Sequence, residues 1–113
     1  MPIQLPEQRP PLHPGEVLAE EFLRPLALTQ VALAERLAIP FQRVNQIVRG
    51  RRAVTPDTAL RLAQLFGTSA ELWLNLQQRW DLHHAAHAPA SRSIAAIRPL
   101  RKPPRRGAKP RAG

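Results

Sequence analysis

Residues 29–52, TQVALAERLAIPFQRVNQIVRGRR, contain the pattern that decides the fold. Thr29 is a good N-cap for a helix with apolar residues at helical spacing behind it. Pro40, acceptable in a first turn, begins a second helix that Gly50 ends. Only about three residues separate the two helices, which is the length expected of a helix-turn-helix. The predicted apolar contact between them is made by Val31, Ala34, Leu37, Ile39, Val44 and Ile47.

Three further segments have helical spacing, and none has the two-residue alternation of a strand. We predict helices over residues 16–24 and 56–66, and a third that follows a cap at Thr68 and runs to about His84. The first should end before Pro25, because a proline pushes its predecessor out of the α region. Thr55 caps the second, and Thr68-Ser69-Ala70-Glu71 fits the capping-box pattern at the start of the third. The predicted fold class is therefore all-α, with five helices.

The outer face of the second helix of the pair is polar, and its residue types suit DNA. Gln and Asn can bond adenine bidentately, while Arg pairs with guanine O6 and N7 or neutralises phosphates. Phe41 is explained equally well by contact with a thymine methyl or by a place in the core. The residues predicted to read base edges are Phe41, Gln42, Arg43 and Gln46. The residues predicted to contact the DNA backbone are Thr29, Gln30, Asn45, Arg49, Arg51 and Arg52.

The net charge of +9 is distributed unevenly over the 113 residues. Residues 1–87 hold nine basic and eight acidic side chains, whereas residues 88–113 hold eight basic and no acidic ones. Within the nearly neutral body, residues 36–52 contain five Arg and no acid. This local charge argues against an ordinary solvated helix face. It makes double-stranded DNA the expected partner, and a membrane is not expected to be one.

Prolines mark the ends of the folded region. Of the 13 prolines, all but three lie at or before residue 14 or after residue 88. Because proline fixes φ and removes a donor, regular structure should not persist there. We predict a flexible head at residues 1–12, a helix-turn-helix DNA-binding and dimerisation domain at residues 13–87, and a basic disordered tail at residues 88–113. The tail is either a solvated end or a non-specific DNA arm, and residues 94–97 are apolar enough for a short helical turn.

The fifth predicted helix carries a wide apolar stripe, although the chain has only two Trp and three Phe. A body of about 75 residues buries a modest core, and domains of this size often need self-association. Tryptophan suits an interface, where one ring edge stays polar, but it also commonly closes a core, and both explanations remain open here. The residues predicted to form a homodimer interface are Leu72, Trp73, Leu76 and Trp80.

Enzymatic and cofactor chemistry is not expected. The chain has no cysteine, so disulfides, thiol catalysis and Cys-ligated zinc are excluded. His83 and His87 are one helical turn apart, but no acidic residue follows to complete a metal site. Neither paired carboxylates nor a Gly-rich phosphate loop occurs. We also find no signal peptide and no apolar run of about 18 residues, and therefore expect a cytoplasmic protein.

Six motifs follow one another with the spacing of a known family. They are HPGE (13–16), EFLRPL (21–26), IVRGRR (47–52), TALRL (58–62), FGTS (66–69) and LWLNLQ (72–77). With them, residues 13–82 resemble the HigA-type antitoxins of bacterial type II toxin–antitoxin modules, which are VapI-like proteins with a lambda-repressor-like helix-turn-helix. Two positions depart from the family pattern. Ala38 stands where a turn glycine is usual, which would cost strain at positive φ, and Arg49 replaces a frequent Asn.

The resemblance implies a homodimer that binds a palindromic operator in its own promoter and captures a HigB-type, RelE-like toxin that cleaves messenger RNA. Such a protein is a bacterial antitoxin and autorepressor, associated with the nucleoid when it is bound to DNA. One alternative is a solitary helix-turn-helix transcription regulator without a toxin. The other is a nucleoid-like, non-specific DNA-binding protein whose tail provides most of the affinity. The charge of residues 36–52 argues against this second alternative.

Overall fold

A computed structural model describes residues 10–101, and every regular element in that range is helical. Helix α1 begins as Pro14–Val17 and continues as a π-helical segment, Leu18–Leu23, and a last turn, Arg24–Leu26. The remaining helices are α2 (Gln30–Leu37), α3 (Phe41–Val48), α4 (Pro56–Phe66), α5 (Ala70–His87) and α6 (Ser91–Ala95). The predicted all-α class is confirmed. None of these six helices is both long and apolar enough to cross a bilayer.

The ends of the chain are only partly described. Residues 1–9 and 102–113, which hold most of the predicted head and the second half of the predicted tail, lie outside the described residues. Helix α6 lies within the tail that we predicted to be disordered, so that prediction is wrong for Ser91–Ala95. The first turn of α6 is closed by backbone hydrogen bonds, such as that from the Ser93 N–H to the Ala90 carbonyl at 3.1 Å. The apolar residues 94–97, which suggested a short helical turn, overlap the end of this helix.

Side-chain caps explain where the predicted helices begin. The Thr29 hydroxyl accepts a hydrogen bond from the Ala32 N–H at 3.0 Å, and the Thr55 hydroxyl accepts one from the Thr58 N–H at 3.4 Å. Both predicted caps are confirmed. At the start of α5 the cap is Ser69, whose oxygen accepts from the Leu72 N–H at 3.0 Å. The predicted capping box is therefore wrong, because Ser69 rather than Thr68 is the N-cap.

Helix α1 does not stop before Pro25 as predicted. The Arg24 N–H bonds to the Ala19 carbonyl five residues back, which is the register of a π-helix. This wider turn displaces the carbonyl against which the proline ring would otherwise clash, and Pro25 has no N–H that needs a partner. The helix therefore runs past the proline and ends at Leu26, where Ala27 takes the left-handed conformation with a φ of +52°.

The core lies between α1, the α2–α3 pair, α4 and the first half of α5. Its buried apolar residues are Leu18, Leu23, Leu33, Ala34, Leu37, Ile39, Val44, Ile47, Val54, Ala59, Leu62 and Trp73. The prediction that Val31 faces inward is wrong, since its side chain is 54% exposed. The buried side of α2 is centred between Leu33 and Leu37, and at about 100° per residue Val31 lies about 140° around the helix from that centre.

Helix α1 packs on the end of α3 without a side chain between them. A Cβ atom on Gly15 would lie 1.7 Å from the Ile47 carbonyl oxygen, so only glycine permits this approach. The preceding His13 is buried, and its Nδ1 accepts a hydrogen bond from the Gly15 N–H at 2.8 Å. Burial lowers the pKa of His13, which keeps the ring neutral and the Nδ1 lone pair available. The imidazole also meets the Trp80 ring edge-on, with 5.0 Å between the centroids.

Trp73 is a core residue, and our assignment of it to a subunit interface is wrong. Its side chain is fully buried within its own chain. The indole packs against Phe22, with 5.3 Å between ring centroids, and its Nε1–H donates to the Thr68 hydroxyl at 2.8 Å. A buried indole needs such a partner for its one polar atom. With no exposed surface, Trp73 cannot meet a second copy of the chain.

The turn after α2 confirms the expected strain at Ala38. This residue has φ +59° and ψ +44°, the left-handed conformation that L-residues other than Gly, Asn and Asp rarely adopt. Its N–H bonds to the Glu35 carbonyl at 3.2 Å, and the Ile39 N–H bonds to the Ala34 carbonyl at 3.1 Å. These bonds close the end of α2 and hold the strained residue in place.

Replacing Ala38 by glycine should therefore raise the free energy of unfolding by about 0.5–1 kcal/mol, because glycine adopts this conformation without a Cβ penalty. Urea denaturation followed by circular dichroism measures the change. The matched control is Ala63→Gly in the middle of α4, where the same substitution should cost about 1 kcal/mol. If both variants lose stability to a similar extent, the proposed strain at residue 38 is absent.

Candidate nucleic-acid interface

The two helices α2 and α3 form the predicted helix-turn-helix. Residues 38–40 connect them, as predicted. Ile39 anchors the turn, since its side chain is buried in the core. Pro40 follows in an extended conformation and is the N-cap residue of α3. The turn is thus held by one apolar anchor and closed by backbone hydrogen bonds, which fixes the direction in which α3 leaves it.

Helix α3 has one buried and one outer face. Val44 and Ile47 are almost fully buried. At about 100° per residue, Gln42 and Gln46 lie on the opposite side of the helix, and Phe41 and Arg43 flank them. Phe41 is 45% exposed, so it is not a core residue. The four predicted base-reading residues thus share the outer surface of α3, and so does Arg49, which is exposed at its end.

Two amide side chains on this surface are already hydrogen-bonded within the chain. The Asn45 Nδ2 donates to the Gln30 Oε1 at 3.0 Å and ties α3 to the first turn of α2. The Gln46 Oε1 accepts from the Arg52 Nε–H at 2.7 Å. Neither pair was predicted from the sequence, where Gln30, Asn45 and Arg52 were assigned only to the DNA backbone. Nothing in the local pattern indicated that residues six or fifteen positions apart would meet.

Within residues 10–101, the arginines of residues 36–52 form no ion pair with a carboxylate. In residues 10–101 the ion pairs are Arg24 with Glu20 at 3.1 Å and Arg61 with Asp57 at 2.9 Å, and both lie outside this segment. Arg36, Arg49, Arg51 and Arg52 are exposed. Guanidinium groups that are charged and solvated are available to neutralise phosphates.

The loop after α3 is fixed by a buried glutamine of α5 that sequence reasoning missed. Gln77 is buried, and its Oε1 accepts a hydrogen bond from the Val54 N–H at 2.8 Å. Its Nε2 donates to Asp81 Oδ1 at 2.9 Å, so both ends of the amide are satisfied. Its position one helical turn after Trp73 was the available signal, because it places a polar residue on the buried side of the helix. The bond to Val54 positions the chain that carries Arg51 and Arg52.

Helix α5 presents part of the predicted apolar stripe to solvent. Leu72 is 37% exposed, and Leu76 and Trp80 are half-buried. Trp80 also packs within its own chain, with 4.0 Å between the centroids of its ring and the His84 ring. Without Trp73, the remaining predicted interface residues form a narrower outward stripe. Their role in self-association stays a prediction.

The histidines near the end of α5 do not converge on one point. The His83 and His87 rings stack with 4.2 Å between their centroids, and His87 Nδ1 lies 2.7 Å from the His83 carbonyl oxygen. Among the described residues, no three His, Asp or Glu side chains come together as metal ligands would. The pair is accounted for by stacking and by the free carbonyls of the helix end.

Comparison with known proteins gives consistent similarities. Residues 20–73, which include both α2 and α3, match the helix-turn-helix protein family. The chain is 46% identical over 93 residues to Virulence-associated protein I of Dichelobacter nodosus, covering 82% of this chain and 84% of that protein. The solved structure of Pseudomonas aeruginosa antitoxin HigA with the higBA promoter is similar with a TM-score of 0.75 and 41% identity, over 80% of this chain and 98% of that one. Antitoxin GraA in complex with its operator is similar with a TM-score of 0.77 and 37% identity, over 88% and 100% respectively.

Proposed function

Because the chain belongs to the HigA-type antitoxin family of helix-turn-helix proteins, we propose that it is a homodimeric autorepressor that also neutralises a HigB-type, RelE-like toxin. The observation that carries the DNA-binding part is the outer face of α3, where glutamine and arginine side chains stand beside exposed arginines without carboxylate partners. This surface has the donors and the charge that a DNA groove requires.

The proposed recognition follows from the dimensions of α3. Its eight residues span about 12 Å, and the major groove is about 12 Å wide. Gln42, Arg43 and Gln46 are proposed to contact base edges, and Phe41 a thymine methyl. The proposed backbone contacts are those of Thr29, Gln30, Asn45, Arg49 and Arg51. The similar structures of HigA with a promoter and of GraA with its operator support DNA binding by this fold.

A homodimer is proposed because one α3 reads only half of a palindrome. Two copies related by a two-fold axis would place their recognition helices in successive major grooves, about 34 Å apart. The outward stripe of α5, formed by Leu72, Leu76 and Trp80, is the proposed contact between them. Helix α5 also fixes the loop before α4 through Gln77, so the same helix would set both the spacing of the two subunits and the position of their basic loops.

On DNA from the protein's own promoter, Gln46→Ala should weaken binding about 5- to 150-fold while leaving random DNA almost unaffected, because it removes a base contact. Arg51→Ala should instead weaken binding to both DNAs alike and reduce the slope of log K against log salt by about one. Fluorescence anisotropy at several salt concentrations measures both effects. If each variant lost the same affinity for promoter DNA as for random DNA, Gln46 would not be a base contact distinct from the phosphate contact of Arg51. A footprint without a discrete palindrome would favour the nucleoid-like alternative.

Leu72→Glu should convert the protein to a monomer at micromolar concentration, because it buries a charge in the proposed interface. Light scattering after size exclusion measures the mass. Leu72 is preferable to Trp80 for this test, since Trp80 also packs against His13 within the chain. The control is Leu82→Glu on the same helix, because Leu82 is exposed and lies about 120° around the helix from the stripe. A wild-type monomer, or equal effects of the two variants, would contradict the proposed interface.

Toxin neutralisation is tested by co-expression with a RelE-like reading frame adjacent to the gene. The toxin alone should arrest growth, and the wild-type chain should restore it. Gln46→Ala should restore growth equally well, because the proposed base contact plays no part in toxin binding. The two proteins should also co-elute in size exclusion. An adjacent frame that is not toxic, or toxicity that the chain does not relieve, would favour a solitary regulator of the same fold.

A further inference from the structure

The side chain of Gln46 is held in one orientation by Arg52. The Arg52 Nε–H donates to the Gln46 Oε1 at 2.7 Å, a charge-assisted hydrogen bond. A guanidinium has only donors, so it can pair only with an acceptor. The group that faces Arg52 must therefore be the oxygen. The Nε2 amino group is left as the free end of the side chain.

This orientation limits what Gln46 can offer to a base. A glutamine reads adenine bidentately by accepting from N6–H and donating to N7, which uses both ends of the amide. Here one of the two lone pairs of the oxygen already accepts from a charged donor. The N6–H of adenine would have to share that oxygen with the Arg52 guanidinium. The remaining amino group can only donate, and the major-groove edge of guanine presents two acceptors, O6 and N7, with no donor of its own. The held side chain thus complements guanine better than adenine.

The backbone supports this contact from both sides of Arg52. The Arg51 N–H bonds to the Gln46 carbonyl at 2.8 Å, which folds the loop back on the end of α3. Gly50 makes the reversal possible with a φ of +74°. Further along, Val54 is held by Gln77 of α5 at 2.8 Å. The loop is therefore fixed before and after Arg52. These backbone contacts hold the Arg52 guanidinium next to the Gln46 side chain.

We propose that Arg52 is a positioning residue that turns Gln46 into a hydrogen-bond donor and thereby selects guanine over adenine at the base pair that Gln46 faces. This inference rests on the proposed role of α3 as the DNA-reading helix. It reassigns Arg52, which the sequence pattern placed on the phosphate backbone. Arg51 is the natural comparison, because it is also exposed and carries the same charge, and its side chain has no hydrogen bond within residues 10–101.

The test is a double-mutant cycle read on a panel of operator duplexes. The base pair faced by Gln46 is identified as the one at which Gln46→Ala loses discrimination. At that pair the wild type should prefer guanine to adenine about 5- to 150-fold. Arg52→Ala should reduce this preference to within about threefold or reverse it, because the released amide can then bind adenine through both ends. Arg52→Ala combined with Gln46→Ala should have the same base profile as Gln46→Ala alone.

Arg51→Ala is the matched control and should weaken all duplexes alike while keeping the preference for guanine. Thermal unfolding should be unchanged for Arg52→Ala, since its side chain is exposed. A wild type that prefers adenine at this pair would overturn the inference. So would an Arg52→Ala variant that loses affinity uniformly and keeps the base profile, which is the behaviour of a phosphate contact. A wild type that binds its promoter no better than random DNA would overturn the proposed function itself, and this outcome is distinct from the other two.

Discussion

The backbone contact between the first turn of α1 and the last turn of α3 determines how the outer face of α3 is presented. The Ile47 carbonyl approaches Gly15 so closely that no Cβ atom fits between them. The same carbonyl accepts a hydrogen bond from the Gly50 N–H at 2.9 Å, so the contact also marks where α3 ends and the basic loop begins. His13 caps α1 at this point and packs on Trp80 of α5. Helices α1 and α5 thus meet behind α3, and within residues 10–101 the opposite face of α3 remains free.

A few polar contacts transmit this arrangement to the surface. Gln77 is the clearest case, because it is buried on α5 and its oxygen fixes the backbone of Val54. Removing one partner of a buried hydrogen bond leaves the other unsatisfied at a cost of about 1–3 kcal/mol, so the loop is well determined. The helix proposed to join two subunits and the loop proposed to contact DNA therefore share a hydrogen bond. A displacement of helix α5 would therefore shift the loop, and a displacement of the loop would shift α5.

The sequence predicted what depends on local rules and missed what depends on distant partners. The caps at Thr29 and Thr55 were predictable, because capping is a property of a few neighbouring residues. The positive φ at Ala38 was indicated only by the glycine that the family usually has at this turn. Val31 and Trp73 were misassigned, since helical spacing identifies an apolar stripe but not which edge of it meets the core. The passage of α1 through Pro25 and the pairing of Gln46 with Arg52 depend on geometry that no single-residue preference encodes.

The distribution of charge and of hydrogen bonds separates affinity from specificity in the proposed function. Arginines that neutralise phosphates act on any DNA, so they provide affinity without base preference. Base preference requires side chains with a defined orientation, and ordering a free glutamine costs up to about 2 kcal/mol. Gln46 is already oriented by Arg52, which means that this ordering accompanies folding rather than binding. Gln42 is exposed and has no hydrogen-bonded partner within residues 10–101, so it must be ordered when DNA binds. Among the proposed base contacts, Gln46 is therefore the more selective reader and Gln42 the more adaptable one.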